Sequence, residues 1–426
     1  MNRRQFVQTA AASPLGLQIL GAQTSRKYNT ALIGTGWWGM NILREAMASG
    51  QSKVVAMCDV DSNQLDPAVA LVEKQSSDQP KKYRDYRELL QKEKPEIVIV
   101  ATPDHWHPLI TIAAVKSGAH VYVEKPISHT VHEGWAMVKA ARDAKRVVQV
   151  GTHRRVSPHN VSGMEFLKSG KVGKIGMVRC FVHYPGGAGT VTPDSDVPAG
   201  LDWDMWCGPA PKKPYNTSIH PKGFRQHLDY ANGTLGDWGI HWLDQVLWWT
   251  DEKFPRTVYS RGARHIKRDS TDAPDTQVAT FEFESFTCVW EHRTYAANLA
   301  EKSNIGAYFY GTEGTFHMGW LDGWTFYPTA KNATPIHQEP QLNQPDSQNI
   351  KELWANFIDC VRTGKTPVSD IEIGHRSTNM SLLGMLSMKL GRSVKWDGDK
   401  EVIIGDQDAN KLLKRPYRDP WVYPSV

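Results

Sequence analysis

Three ionisable side chains recur at helical spacing in the segment GTLGDWGIHWLDQVLWW. If this segment is a helix, a polar stripe of Asp237, His241 and Asp244 runs at i, i+4 and i+7 between two apolar faces. Ionisable groups on an otherwise buried helix must be paired or line a cavity, because isolated burial is costly. A carboxylate one turn from a histidine orients the ring and raises its basicity, as a general base for an alcohol requires. The same spacing also fits a buried structural Asp-His pair, so both interpretations stay open at this point.

Polar residues also follow two apolar, strand-like runs nearer the N-terminus. The run PEIVIVATPDHWHP ends in a polar loop, and the run HVYVEKP ends in a charged pair. In an open parallel sheet, ligands lie beyond the carboxyl ends of the strands. We therefore predict that a cofactor meets the residues at these two strand ends, namely Thr102, Pro103, His105, His107, Glu124 and Lys125.

The segment NTALIGTGWWGMN combines a buried strand, a glycine-rich turn and the start of a helix. Glycines in G-x-G-x-x-G order let the backbone turn tightly and approach a pyrophosphate at the positive end of the helix. Asp59 ends the second strand about twenty residues later, where a carboxylate binds a ribose diol and repels a 2′-phosphate. The pattern predicts NAD rather than NADP, and a structural turn without a ligand is the alternative. The predicted contacts in the turn are Gly34, Thr35, Gly36, Trp37, Trp38 and Gly39.

The order of predicted elements indicates two domains. Strands alternate with helices over the first third of the chain, which predicts a doubly wound parallel sheet of the Rossmann type over residues 26–151. Strand-like runs separated by turns, followed by two helices, predict an α+β domain with an open, mainly antiparallel sheet over residues 152–390. Residues 391–426 are expected to form a tail that packs back on the core. The long stretch 186–251 is rich in Gly, Pro, Trp and His and is expected to carry function.

The composition narrows the class of protein. A chain of 426 residues is long enough for two domains. Its net charge of +5 comes from 50 basic and 45 acidic residues without long blocks of one sign, so nucleic acid is not a predicted partner. No apolar run reaches the roughly 18 residues of a membrane span. Five scattered cysteines without a C-x-x-C pair predict neither a disulfide scaffold nor a metal site.

The motifs GTGWWG, VEKP and the D-x-x-x-H of Asp237 and His241 together resemble the Gfo/Idh/MocA oxidoreductase family, typified by glucose-fructose oxidoreductase and inositol dehydrogenase. The resemblance covers nearly all of residues 28–390. It implies that Lys125 hydrogen-bonds the reacting sugar hydroxyl and that His241 takes the hydroxyl proton as hydride leaves for the nicotinamide. Asp237 would orient the imidazole or bind a neighbouring hydroxyl. The resemblance implies further substrate contacts at His153, Arg154, Arg155, Tyr184 and Arg225.

Further segments, GTHRR, DYANGTLGDWGIHWLD and RPYRDPW, resemble an exported branch of that family. Arg3, Arg4 and Phe6 match a twin-arginine export signal, which predicts a signal over residues 1–25 and a periplasmic location. An ordinary N-terminal helix or a disordered start is the alternative. An exported enzyme has no soluble NAD pool, so its NAD is expected to be loaded before export, tightly bound and non-exchanging.

These inferences predict an exported NAD-dependent oxidoreductase that converts a ring hydroxyl of a sugar or glycoside, with C3 as the expected carbon, into a keto-sugar. A second hypothesis is an NAD-dependent glycoside hydrolase that uses transient oxidation and elimination. A third is a non-catalytic carbohydrate-binding protein on the same fold. The family resemblance also implies a homodimer or a homotetramer.

Overall fold

The computed structural model of the protein describes residues 26–301 and 303–425. The predicted export signal, residues 1–25, lies outside the described residues. Among the helices of the described chain, none has both the length and the apolar character needed to cross a bilayer.

The first domain is built on a sheet of six parallel strands in the order β3-β2-β1-β4-β5-β6. Its central strands are apolar throughout and buried, as a sheet covered on both faces requires. The strands are β1 (Tyr28–Ile33), β2 (Ser52–Cys58), β3 (Lys81–Tyr83), β4 (Ile97–Val100), β5 (His120–Val123) and β6 (Val148–Val150).

Five helices connect these strands, and local capping fixes where several of them begin. The Asp61 side chain accepts the backbone N–H of Asn63 and so starts the second helix. Thr130 and Glu133 form the predicted capping box of the fifth helix. The helices are α1 (Trp37–Ala48), α2 (Ser62–Gln75), α3 (Tyr86–Glu93), α4 (His107–Lys116) and α5 (Val131–Asp143).

The second domain contains a ten-stranded sheet in the order β14-β13-β12-β11-β7-β10-β9-β8-β15-β16. All its neighbours pair antiparallel except β7 and β10, so the predicted fold class is confirmed. The strands are β7 (Ile175–His183), β8 (Thr257–Ala263), β9 (Thr276–Glu282), β10 (Thr287–Arg293), β11 (Ile305–Gly311), β12 (Gly314–Gly319), β13 (Trp324–Pro328), β14 (Ile336–Gln338), β15 (Val394–Asp397) and β16 (Val402–Ile403).

One face of this sheet is covered by helices, and their apolar side chains form the domain core. Trp242 and Leu243 from one helix and Leu383 from another pack against Phe281 and Trp290 of the sheet. Along β9 and β10, buried residues alternate with more exposed ones, as expected where only one sheet face is covered. The helices of this half are α6 (Pro158–Lys168), α7 (Trp203–Cys207), α8 (Ile240–Trp249), α9 (Ile350–Thr363), α10 (Ile371–Leu390) and α11 (Gln407–Lys411).

The domain boundaries are less simple than the sequence suggests. Helix α9 falls within the range predicted for the second domain, yet Trp354 and Phe357 pack on Tyr122 of β5, with ring centroids 6.0 and 6.2 Å away. Its apolar face therefore completes the core of the first domain. In the C-terminal region, β15 extends the second sheet beside β8, while Trp421 lies edge-on against Trp106 of the first domain at 4.7 Å. The last residues thus bridge the two domains.

Candidate active site

A large cavity, here called the main cavity, opens at the carboxyl edge of the parallel sheet. Its volume is about 840 Å³, which lies within the range of ligand-binding sites. The glycine turn and the ends of β2, β4 and β5 form one side, and the start of α8 forms the other. The first domain therefore supplies the wall for a cofactor and the second domain supplies the ionisable side chains opposite it.

The three glycines of the turn have different roles. A Cβ on Gly34, which has φ +93°, would lie 2.6 Å from the Ala101 carbonyl, and a Cβ on Gly39 would lie 2.2 Å from the Gly34 oxygen. These two glycines allow the turn to pack tightly. A Cβ on Gly36 would meet no atom within 4 Å, and Gly36 lines the cavity. Its missing side chain leaves the backbone at the start of α1 open to a ligand.

The Asp59 carboxylate fastens this turn while it lines the cavity. One oxygen accepts hydrogen bonds from the Thr35 backbone N–H at 2.8 Å and from the Thr35 hydroxyl at 3.1 Å. The other oxygen accepts the Asp61 backbone N–H at 3.0 Å. A carboxylate oxygen can accept more than one bond, so Asp59 can also bind a ribose diol. The open backbone at Gly36 and the acid at Asp59 fit NAD.

At the other side of the cavity, Asp237 lies between two cations. Lys125 Nζ donates to Asp237 Oδ1 at 2.8 Å and to the Asp237 carbonyl at 3.1 Å. Arg225 Nε donates to the same Oδ1 at 3.1 Å. Burial opposes ionisation of Asp237, but the charges of Lys125 and Arg225 outweigh it and lower the pKa of the carboxyl. Asp237 is therefore an anion that fixes the ammonium of Lys125 in the cavity.

His241 lines the same part of the cavity and is 6% exposed. Its pKa is lowered well below the ordinary value, first by burial and then by the charge of Lys125 and other nearby cations. The ring is therefore neutral and able to accept a proton. Its Nδ1 has no hydrogen-bond partner among the described residues. A second imidazole, His153, lies 5.4 Å away between ring centroids.

The expectation that Asp237 orients the His241 ring is therefore wrong in this structure. The reason is local: residues Leu235–Gly239 form a π-helical turn directly before α8. Its hydrogen bonds join i to i+5, so the i, i+4 face assumed from the sequence does not continue through it. The third member of the stripe, Asp244, accepts a bidentate pair from Arg155 at 2.8 and 2.9 Å. The predicted stripe is thus split between the cavity and a buried ion pair.

Most of the predicted site residues come together in the main cavity, and five do not. Gly39 packs under the turn, Arg155 is held by Asp244, and Tyr184 lines a neighbouring cavity. His105 and Arg154 are buried elsewhere. The predicted residues that line the main cavity are Gly34, Thr35, Gly36, Trp37, Trp38, Asp59, Thr102, Pro103, His107, Glu124, Lys125, His153, Arg225, Asp237 and His241.

The two histidines of the DHWH loop have packing roles. His105 Nε2 lies 3.0 Å from the Trp206 carbonyl, and burial lowers the pKa of this ring to about 3. The His107 ring nitrogens lie 2.8 Å from the Pro126 carbonyl and 2.7 Å from the Thr102 carbonyl. Burial lowers the pKa of His107 to about 4. As a neutral ring, His107 has one N–H and donates to one of these two carbonyls, while its other nitrogen only packs against the second.

The family resemblance implies that Arg154 contacts substrate, but this residue is buried behind Trp320. It is 2% exposed, and its guanidinium stacks 3.7 Å above the ring centroid of Trp320. None of its three side-chain nitrogens has a hydrogen-bond partner within residues 26–301 and 303–425. Trp320 in turn lies edge-on to His241 at 5.0 Å. Arg154 is thus a buried cation one ring away from the candidate base.

Several cavity residues were not identified from the sequence. Asp104 and Glu124 are buried in the cavity wall, and burial raises the pKa of each to about 7. Glu124, after β5, is among the predicted cofactor contacts, whereas Asp104, beside His105 after β4, is not. Trp320 follows β12, and nothing in its local sequence distinguishes it from the other tryptophans.

The long stretch 186–251 supplies a roof over the cofactor side of the cavity. Gly200 accepts the Ser62 backbone N–H at 3.1 Å and an Arg84 guanidinium N–H at 2.8 Å. His220 Nε2 lies 3.0 Å from Asp61 Oδ2, and both residues are buried. These contacts fix the stretch to the start of α2. Its residues thereby line the cavity, where the stretch can carry the function expected from its length and composition.

Known structures share this two-domain fold. The WlbA dehydrogenase of Bordetella pertussis, solved with NADH and UDP-GlcNAcA, has a TM-score of 0.66 and 19% identity, covering 87% of this chain and 99% of its own. The aldose-aldose oxidoreductase of Caulobacter crescentus has a TM-score of 0.64 and 21% identity, covering 87% of this chain and 100% of its own.

Curated relatives match over a shorter segment. A glycosyl hydrolase family 109 protein of Stenotrophomonas maltophilia is 34% identical over 148 residues, which cover 33% of each chain. One of Shewanella pealeana is 28% identical over 173 residues, which cover 34% of this chain and 38% of the relative. The matched segment thus spans about a third of the length of these relatives.

Two family models match the chain and together account for most of it. The oxidoreductase family model of the NAD-binding Rossmann fold matches residues 28–152. The model of the C-terminal alpha/beta domain of the same family matches residues 181–423. The chain therefore belongs to the Gfo/Idh/MocA oxidoreductase family and carries the NAD-binding domain of that family.

Proposed function

We propose that the protein oxidises a ring hydroxyl of a sugar or glycoside, at C3 by preference, to a keto-sugar with NAD as the hydride acceptor. One observation carries the proposal: the glycine turn and Asp59 share a single cavity with the Lys125-Asp237 pair and a neutral His241. The aldose-aldose oxidoreductase and WlbA share the fold, which supports a sugar as the substrate class.

Each ionisable residue has a role that follows from its charge. Lys125, held by Asp237, donates a hydrogen bond to the reacting oxygen and stabilises the negative charge that develops on it. His241 accepts the hydroxyl proton, because burial and the neighbouring cations keep its ring neutral beforehand. The glycine turn and Asp59 would hold NAD, which would supply the hydride acceptor for the same carbon.

The roof over the cofactor side supports the further proposal that NAD is retained. The roof is fixed to the first domain by the His220-Asp61 contact and by the bonds to Gly200. These contacts hold the roof against the first domain and would slow the departure of a cofactor beneath it. Retention would suit loading before export through the twin-arginine signal, which we propose for residues 1–25. Retained NADH must then be reoxidised in place, and we propose that a second sugar or keto-sugar takes the hydride and is reduced in return.

The test begins with the protein purified without added NAD. Denaturation followed by mass spectrometry of the released small molecules should yield NAD at close to one per chain. The His241→Ala variant should keep this NAD content and form keto-sugar about a hundredfold more slowly or worse, as expected for loss of a general base. The matched control is His337→Ala, which removes a more exposed histidine. Unchanged turnover in His241→Ala would remove this residue from the role of base.

Net hydrolysis of a glycoside is the second candidate, and two observations favour it. The curated relatives carry the name glycosyl hydrolase family 109 protein. Elimination after transient oxidation also needs a second group for proton transfer, and His153 lies 5.4 Å from His241. The two candidates differ in their products. A hydrolase releases the free aglycone and accumulates no keto-sugar, whereas an oxidoreductase forms keto-sugar and leaves the glycosidic bond intact.

A further inference from the structure

A smaller cavity, here called the side cavity, lies next to the main cavity. It has a volume of about 220 Å³, and two of its wall residues, Asp237 and Trp238, also line the main cavity. Its other walls include Tyr184, directly after β7, and the loop that joins β8 to β9. Since Asp237 holds Lys125 at the reacting position, a group in the side cavity would adjoin the reacting ring.

The loop that lines the side cavity is fixed in place by its own hydrogen bonds. The backbone N–H groups of residues 265–267 donate to the buried Asp275 carboxylate at 3.2, 2.8 and 2.6 Å. The Arg264 guanidinium donates to the Thr271 hydroxyl at 2.7 Å and to the Ala273 carbonyl at 3.1 Å. The side cavity is therefore a preformed feature of the fold.

Two polar groups in its wall have unused hydrogen-bonding capacity. The side chain of Lys267 is 17% exposed, and its ammonium lies 4.0 Å from Asp269 Oδ2, which is beyond hydrogen-bond distance. Tyr184 packs edge-on against Trp238 at 5.6 Å between ring centroids. Within the described part of the chain, neither the Lys267 ammonium nor the Tyr184 hydroxyl makes a hydrogen bond. Both groups lie in the wall of the side cavity, where they can donate to a ligand.

This combination suits a hydroxylated ring. At about 220 Å³, the side cavity is far larger than the space that a single water molecule needs, so it has room for a larger polar group. The indole of Trp238 suits the apolar face of a sugar, while the two donors suit its hydroxyls. An apolar tail would instead bury the Lys267 ammonium without a hydrogen-bond acceptor, at a cost in free energy.

We propose that the side cavity is a second sugar subsite, which binds a ring joined to the reacting ring. The preferred substrate is then a glycoside of at least two rings. Lys267 and Tyr184 donate hydrogen bonds to hydroxyls of the second ring, and Trp238 contacts its apolar face. The inference rests on the proposed function, because the reacting ring must lie at Lys125 and His241 for its neighbour to reach the side cavity.

The experiment compares each methyl hexoside with a disaccharide that carries the same ring at its non-reducing end. The pairs are methyl β-glucoside with cellobiose, methyl α-glucoside with maltose, and methyl β-galactoside with lactose. Oxidation of the non-reducing ring is followed by mass spectrometry. For the ring that is turned over, the disaccharide should have a kcat/KM about tenfold higher or more, mainly through a lower KM. Lys267→Met should remove most of this preference, while Arg268→Met, which removes an exposed cation from the same loop, should keep it.

The outcomes separate the subsite from the proposed function. Equal kcat/KM for the methyl hexoside and its disaccharide would overturn the second subsite and leave the oxidation in place. A full preference in Lys267→Met, with the NAD content and melting temperature of the parent protein, would also overturn it. Absence of oxidised or cleaved product from every pair would overturn the proposed function, and the subsite with it.

Discussion

Replacing Arg154 with methionine should make the protein more stable, although only the Trp320 ring separates this residue from the candidate base. Its guanidinium is 2% exposed and stacks on Trp320. No acceptor for its side-chain N–H groups lies within the described residues. A buried cation without a carboxylate partner is destabilising, and an apolar side chain of similar length would avoid that cost.

The expected gain follows from the titration of the buried group. Burial lowers the pKa of Arg154 from its ordinary value of 12.5 to about 9. At about 1.4 kcal/mol per pH unit, the surroundings disfavour the charged form by about 5 kcal/mol. Stacking on the Trp320 ring offsets about 2 kcal/mol of this. Arg154→Met should therefore raise the free energy of unfolding by about 3 kcal/mol, because methionine keeps the apolar contact with Trp320.

Urea unfolding of NAD-free protein measures this difference, and Arg261→Met on the exposed part of β8 is the control. The control should change the free energy of unfolding by less than about 0.5 kcal/mol. Loss of stability in Arg154→Met would mean that the guanidinium is stabilised where it lies, and the reasoning from burial would be refuted.

The same variant should alter catalysis in a way that a purely structural residue would not. The positive charge of Arg154 is one of the causes that lower the pKa of His241, after burial and the charge of Lys125. Removal of this charge raises the pKa of His241. The acid limb of the kcat/KM profile should therefore move to higher pH in Arg154→Met. An acid limb at the parent position would show that Arg154 does not act on the base.

Two further predictions concern residues of the first domain that line the main cavity. Gly36→Val should abolish copurification of NAD and leave the melting temperature of NAD-free protein nearly unchanged, because its Cβ meets no protein atom, whereas Gly34→Ala should lower the melting temperature by clashing with the Ala101 carbonyl. Asp104 and Glu124 have pKa values raised to about 7 by burial, so the folded protein binds their protons more tightly than the unfolded chain. Their stabilising effect is complete below about pH 4 and is lost as the pH rises through about 7. The melting temperature of NAD-free protein should therefore fall over this range, and less so in Asp104→Asn.

The cofactor wall could be predicted from the sequence because its signals are local. Gly34, Gly36 and Gly39 lie within one turn, and Asp59 follows at the end of the next strand. Such a pattern needs only the order of strand, turn and helix to be correct. Lys125 is predicted as a cofactor contact in the same way, because it stands two residues after a buried strand. These elements depend little on how the second domain packs.

Side-chain direction at the strand ends could not be predicted, because tertiary partners decide it. His105 and His107 both stand in the loop after β4, yet His105 is held away from the cavity by the Trp206 carbonyl. Arg154 and Arg155 follow β6, and each is directed by a partner distant in sequence: Trp320 for Arg154 and Asp244 for Arg155. Spacing along one strand end contains no information about these partners.

The roles of Asp237 and His241 depend on a local signal, the helical spacing, and on a distant partner, Lys125. Helical periodicity pairs Asp237 with His241, but the π-helical turn ends that register and Asp237 binds Lys125, 112 residues away in the chain. The consequence is chemical. A histidine bonded to a carboxylate would gain basicity and could be protonated at rest, whereas His241, without that bond and among cations, is held neutral. Asp237 instead keeps the ammonium in place, so the proton acceptor and the hydrogen-bond donor to the substrate oxygen are set independently.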